Sequence, residues 1–121
     1  MKVQRGEIVL VDFPYSDRTG SKVRPALVVQ ADFWNVRLDD TILALITSSH
    51  RRRVGAATQF AIEVATPEGQ RSGLRIGSVV QCENLVTYDK SQVLRVLGNL
   101  LAESMSQIDS CLMAALGLGV R

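Results

Sequence analysis

The stretch Lys22-Val23-Arg24-Pro25-Ala26-Leu27-Val28-Val29-Gln30 constrains the fold most. Its apolar run reads as a buried strand, yet it carries a proline near its start and a cation directly before that proline. A residue preceding proline is pushed to extended geometry by clash with the ring. Pro25 has no N–H to give a sheet ladder, which suits the first position or an edge of a strand. Arg24 is therefore held at a stiffened point where a loop becomes a core strand. From this stretch alone two readings stand: an ion pair at a strand entrance, or an anion-binding guanidinium.

Similar runs follow in order. Gly6 to Phe13 is a first strand, bounded by Gly6 and Pro14. The Pro14–Ser21 segment has the composition of a flexible loop and is longer than a tight hairpin needs. Strand two runs from Val23 to Gln30. A polar connection, Ala31 to Asp40, leads to strand three, Thr41 to Thr47, a continuous apolar run expected to be buried on both faces. Ser48 to Gly55 is a basic loop, and Thr58 to Val64 alternates as a half-buried fourth strand. Pro67-Glu68-Gly69 marks a turn, and a basic link leads to a fifth strand over residues 77–83. A sixth covers Val93 to Leu97, interrupted by Gly98. The tail changes period. Met105, Ile108, Leu112 and Ala115 or Leu116 form one stripe of an amphipathic helix, with Gly117 placed as its cap. The expected fold is mainly β, of α+β type: a small, strongly curved antiparallel barrel with an appended C-terminal helix, as one domain over residues 1–121.

Composition narrows the function classes. The 121 residues are 46% hydrophobic and 21% charged, with a net charge of +2, as in ordinary soluble domains. The cations cluster at Arg18, Lys22 and Arg24, at Arg51-Arg52-Arg53, and at Arg71 and Arg75. Cys82 and Cys111 lie in apolar surroundings without metal-ligand spacing and read as reduced core residues. The first residues lack the apolar core of a signal peptide, and no run reaches membrane-spanning length, so a cytoplasmic protein without membrane contact is expected. No phosphate-binding glycine loop, dinucleotide fingerprint or nucleophile elbow is present. No carboxylate cluster suited to a metal occurs, and no metal or cofactor is expected. His50 is the sole histidine, which excludes a two-histidine ribonuclease mechanism.

The equal lengths of runs 24–30 and 41–47 suggest how the chemistry is assembled. Sequential strands usually pair; with Gln30 opposite Thr41, Arg24 falls opposite Thr47. Directly opposed residues have Cβ atoms roughly 4.5–5.5 Å apart. The loops at 14–23 and 48–57, and the link at 70–76, would open at that end. A guanidinium gives bidentate hydrogen bonds to phosphoryl oxygens and stays charged at any relevant pH. Thr47 and Ser48 supply hydroxyls.

Taken in order, Arg5-Gly6-Glu7-Ile8-Val9-Leu10-Val11, Val23-Arg24-Pro25-Ala26-Leu27-Val28-Val29 and Ala44-Leu45-Ile46-Thr47-Ser48 resemble the MazF/PemK (Kid) toxin family. Phe60, Val79-Val80-Gln81-Cys82-Glu83, Thr87-Tyr88-Asp89-Lys90 and the helix end Ala115-Leu116-Gly117-Leu118 continue the resemblance. It implies an SH3-like barrel with a C-terminal helix, a homodimer, and metal-independent, sequence-selective cleavage of single-stranded RNA. It further implies a cognate antitoxin, with DNA contacted only through the antitoxin complex. Arg24 and Thr47 match the family's principal catalytic positions. Some members carry Arg-Cys-Asp in strand five, with acid and base roles; here the segment is Gln81-Cys82-Glu83. Gln81 cannot serve as an acid. Glu83 is left as a candidate base or as an ion-pair partner of Arg24 or Arg75. Arg18, Lys22, Ser48, His50, Arg51, Arg52, Phe60 and Gln81 are candidate RNA contacts, His50 a peripheral one. Two other readings use the same kind of barrel: a non-enzymatic, CcdB-like gyrase-binding toxin, and an RNA-binding barrel without catalysis. The tail Gly117-Leu118-Gly119-Val120-Arg121 shows no CcdB-like pattern, and stacking aromatics are few.

Overall fold

The computed structural model describes residues 2–14, 17, 19–48 and 56–119. Six strands make one sheet: β1 (Glu7–Pro14), β2 (Ser21–Val28), β3 (Asp40–Ser48), β4 (Gln59–Ile62), β5 (Ser78–Asp89) and β6 (Val93–Asn99). Short helices α1 (Asp32–Asn35) and α2 (Pro67–Ser72) lie in the connections, a 3₁₀ turn (Lys90–Gln92) precedes β6, and α3 (Ala102–Leu116) ends the fold. The strand order is β4-β5-β3-β2-β1-β6, and every pairing is antiparallel.

The mainly-β class with a C-terminal helix is as expected, but the sheet is not closed into a barrel by strand pairing. Strands β4 and β6 are its two edges. Helix α2, which follows β4, packs against β6 instead. Two glycines permit that approach. A Cβ at Gly98 would overlap the carbonyl of Arg71, and one at Gly73 would overlap the carbonyl of Leu97. Gly73 also ends α2 in the left-handed region, with φ of 76°.

The central strands bury both faces, so their sequences read as continuous apolar runs rather than alternations. Ile8, Leu27, Ala44, Ile46, Phe60, Ile62, Val80 and Cys82 form one core with Met105, Ile108 and Cys111 of α3. Val9, Val11, Ala26, Val28, Leu43, Leu45 and Val93 form the other, joined by Phe13, Val86 and Tyr88. Gly117 caps α3 at φ of 70°, and the N–H of Leu118 returns to the Met113 carbonyl at 2.9 Å, the Schellman arrangement. Arg5 ties the helix to the sheet: it pairs with Asp109 at 2.6 Å and donates from Nε to the Val29 carbonyl at 2.8 Å.

Three local features depart from the sequence reading. Strand β5 runs on to Asp89 instead of ending at Glu83, because the β3–β5 register shifts between Ala44 and Leu45 and pairing resumes at Leu85. The basic link at 70–76 is in part helix α2, whose start is capped by Thr66 Oγ1 accepting from the N–H of Gly69 at 3.0 Å. The polar connection holds α1 around buried Asn35. Gln30 Nε2 donates to Asn35 Oδ1 at 2.9 Å and Thr41 Oγ1 donates to it at 2.8 Å, while Asn35 Nδ2 donates to the Gln30 carbonyl at 2.9 Å.

Candidate active site

Strand β2 begins at Ser21, so Pro25 lies inside it rather than at its first position. What tolerates a proline there is the phase of the backbone. The N–H of Val29 donates to the Ile42 carbonyl at 3.0 Å, and the Val28 carbonyl accepts from Gly6 N–H at 2.9 Å. Odd-numbered residues of β2 therefore turn their backbone groups toward β3 and even-numbered ones toward β1. Pro25 faces β3 with no N–H to give. The β2–β3 ladder runs over Val28↔Leu43, Leu27↔Ala44 and Ala26↔Leu45 and stops there. Beyond it β2 remains paired with β1 as far as Ser21, and β3 with β5 as far as Ser48. The sheet forks, and the proline stands at the crotch.

A cavity of about 530 Å³ opens at this fork. Continuing the β2–β3 register by two residues sets Arg24 level with Thr47, the opposition expected from run lengths, and both residues line the cavity. Ser48, Ser78, Lys22, Arg75 and Arg95 complete its polar lining; the lining contains no Asp or Glu. Arg24 is half-buried and Thr47 buried. The one ion pair recorded among the described residues is Arg5–Asp109, so no described carboxylate pairs with Arg24. That removes the strand-entrance ion pair as the explanation of this arginine.

Alternation along the strands decides which side chains share a face. Lys22 and Arg24 lie opposite Phe13 and Val11, and Gln81 lies opposite both Leu45 and Gln59. Arg24, Thr47, Gln81 and Gln59 therefore fall on one face of the sheet. Glu83 is exposed and tethered to β4 and the residue before it. Its Oε1 accepts from Thr58 Oγ1 at 2.9 Å and its Oε2 from Gln59 Nε2 at 2.8 Å. These partners replace the ion pair with Arg24 or Arg75 considered from the sequence. Phe60 is turned away: it pairs with Val80 and is buried in the core beneath α3. Arg18, His50, Arg51 and Arg52 lie outside the described residues. Near Arg18, Asp17 Oδ1 accepts from the Thr19 N–H at 3.0 Å and from Thr19 Oγ1 at 2.7 Å, which lowers the Asp17 pKa.

The thiol of Cys82, on the core side of β5 beside Gln81, is pushed up to about 12, by burial first and then by Cys111 and Glu83. Both cysteines are free and buried, as expected, and neither offers a thiolate near neutral pH. Sequence reasoning missed Gln59 and Arg95 as site residues. Gln59 becomes visible only through its pairing with Gln81, and Arg95 only through Leu10 of β1. A single cation inside the apolar β6 run was the only local signal.

This arrangement of strands and helix recurs in solved structures. One, an endoribonuclease in complex with its cognate antitoxin from a mycobacterial species, aligns with a TM-score of 0.77 at 24% identity over 98% of this chain and 99% of the other. Another, the MazE–MazF complex of Deinococcus radiodurans, aligns with a TM-score of 0.74 at 21% identity over 98% of this chain and 100% of the other. The chain thus has the fold of MazF toxins. The sequence profile of the PemK-like, MazF-like toxins of type II toxin–antitoxin systems matches residues 4–116, and the chain belongs to that family. Among characterised relatives, Endoribonuclease EndoA of Bacillus subtilis (strain 168) is 29% identical over 119 residues, 98% of this chain and 97% of the relative.

Proposed function

We propose that this chain is the toxin of a type II toxin–antitoxin pair and acts as a metal-independent endoribonuclease on single-stranded RNA. Family membership and the relative named an endoribonuclease support the activity. The observation that carries the site is Arg24, without a described carboxylate partner, level with Thr47 at the mouth of the fork. Arg24 holds two oxygens of the scissile phosphate and stabilises the charge that grows on them at the phosphorane stage. The Thr47 hydroxyl donates to the same phosphate and sets its orientation. The 2′-hydroxyl of the preceding ribose attacks phosphorus and gives its proton to solvent water. Glu83, four residues along β5 from the Val79 that pairs with Thr47 and held by Thr58 and Gln59, lies outside the cavity and is not the base. A 2′-O–P bond forms, the P–O5′ bond breaks, and the leaving oxygen takes a proton from water, leaving a cyclic phosphate and a 5′-hydroxyl. Gln81 has no acidic proton to contribute and binds RNA through its amide.

In this reading the toxin works in the cytoplasm as a single-domain homodimer. Among the described residues no helix is long and apolar enough to cross a membrane. Leu94 and Val96, exposed on edge strand β6, are the kind of surface a second copy covers. A cognate antitoxin binds and inhibits it, and DNA is reached only through that antitoxin; the mycobacterial endoribonuclease is likewise found in complex with its own antitoxin. Family membership and the relative named an endoribonuclease favour cleavage over the gyrase-binding and non-catalytic readings.

The test is incubation of purified protein with a long RNA in EDTA, followed by sequencing of the 5′-hydroxyl ends. Cutting at a recurring short motif is expected. Arg24→Ala should lower the rate about 10²–10³-fold, the loss seen on removing one oxyanion donor. Uncut RNA, or equal cutting by the variant, would refute the assignment.

A further inference from the structure

The cavity at the fork has a second side that the proposed cleavage does not use. Leu10 pairs with Pro25 on β2 and with Arg95 on β6, so these three side chains stand in one row across the sheet. By alternation that row is on the face opposite Arg24 and Thr47. There the cavity is floored by Leu10, Pro25, Ile46 and Leu97 and covered by the segment after α2, with Leu74 and Ile76. Arg75 and Arg95 stand exposed at its rim, and no described carboxylate pairs with either. The space therefore joins an apolar floor to two arginines without anionic partners among the described residues, and is continuous with Arg24 and Thr47, which line the same cavity.

We infer that this side of the cavity is a nucleotide subsite for the residue flanking the scissile phosphate, its base on the apolar floor and its phosphate on Arg95 and Arg75. The inference rests on the RNA-cleaving reading for the identity of the strand, and adds two specificity-determining residues. The chemistry selects the occupant. An aromatic base buries apolar surface against the partly exposed Leu10, Leu97 and Ile76, while its phosphate takes charge-assisted hydrogen bonds from guanidinium groups. Inorganic phosphate satisfies only the rim. Continuity with the Arg24 site makes the next nucleotide of the bound strand the natural occupant. Discrimination among bases then arises from the shape of the floor, on β1, β3 and β6, separately from the phosphate chemistry at Arg24.

Titration of the full chain, labelled at Leu and Ile methyls, with each of the four ribonucleoside 5′-monophosphates tests this directly. At least one nucleotide should shift the methyls of Leu10, Ile76 and Leu97 saturably, where inorganic phosphate does not. Arg95→Ala should weaken that binding about tenfold, and Arg95→Glu should abolish it. In cleavage assays Arg95→Ala should raise KM with little change in kcat, whereas a purely structural role would lower the melting temperature instead. Silent cavity methyls, shifts unaltered by Arg95→Ala, or methyls that answer only to an acidic peptide would overturn the subsite. The two readings fail separately. RNA cutting with a silent cavity refutes the subsite alone; nucleotide-dependent shifts without cutting refute the cleavage reading and leave the pocket standing.

Discussion

If the proline makes the fork, replacing it should close the fork by one step. In Pro25→Ala the new N–H points at Ile46 of β3, because odd-numbered residues of β2 face that strand, as the 3.0 Å bond from Val29 N–H to the Ile42 carbonyl fixes. One added ladder bond is worth about 1 kcal/mol net. Losing the proline's restriction of the unfolded chain costs roughly 0.4–1 kcal/mol. The two nearly offset, so stability should change by less than about 1 kcal/mol while β2 and β3 are drawn together where Arg24 and Thr47 must straddle a phosphate. Misplacing reacting groups by about 1 Å can cost on the order of 10²-fold in rate, so kcat/KM should fall about 10–100-fold. Amide hydrogen exchange and RNA cleavage, measured on the same preparation of the Pro25→Ala variant, decide the matter. The expected outcome is protection of the new amide together with the loss of activity. Rapid exchange of that amide would show that the proline does not end the ladder. A protected amide with full activity would show that the fork is not needed for catalysis.

Other consequences are open to equally direct measurement. Asn35→Ala removes the partner of Gln30 and Thr41 inside a buried cluster, and leaving buried donors unsatisfied should cost about 3 kcal/mol in denaturant titration. Gly98→Ala places a methyl on the Arg71 carbonyl, within 2.6 Å of the Ser72 carbonyl carbon; overpacking should destabilise by about 2 kcal/mol, and α2 should show increased proteolysis. The unfolded Cys82 thiol ionises near 9.0, but the folded one holds its proton to about 12. Between those values the unfolded state binds fewer protons, so stability should fall as pH rises through that window. Iodoacetamide at pH 8 should label Cys82 slowly unless denaturant is added; rapid labelling of the native protein would contradict its burial.

Much of this molecule was legible in the sequence, for reasons that are local. Strand identity follows from β-branched runs whose length and punctuation depend on neighbours in the chain. The stripe of Met105, Ile108 and Leu112 identified α3, and Gly117 its end. Even the Arg24–Thr47 opposition could be read, because β2 and β3 are consecutive and their apolar runs match in length. The helix α1 could not. Asp32 to Asn35 has no apolar periodicity, and that turn is held by the Gln30–Asn35–Thr41 hydrogen bonds rather than by its own residues. Phe60 was a candidate RNA contact through the family resemblance, which does not say which way the residue faces in this chain; here it pairs with Val80 and is buried in the core.

By itself the sequence determined the elements, the core and the arginine at the strand's bend, since extended or helical preference, burial and proline's missing donor belong to residues and short runs. Only the tertiary structure decided what surrounds that arginine. Strand pairings between residues far apart in the chain set Gln59 beside Gln81 and Arg95 beside Leu10, and packing of α2 on β6 closed what no ladder closes. Pro25 shows the division most clearly. Its lack of an N–H is a property of the residue, but whether that gap faces β1, solvent or β3 is a matter of sheet phase, and the phase is what opens the cavity between Arg24 and Thr47.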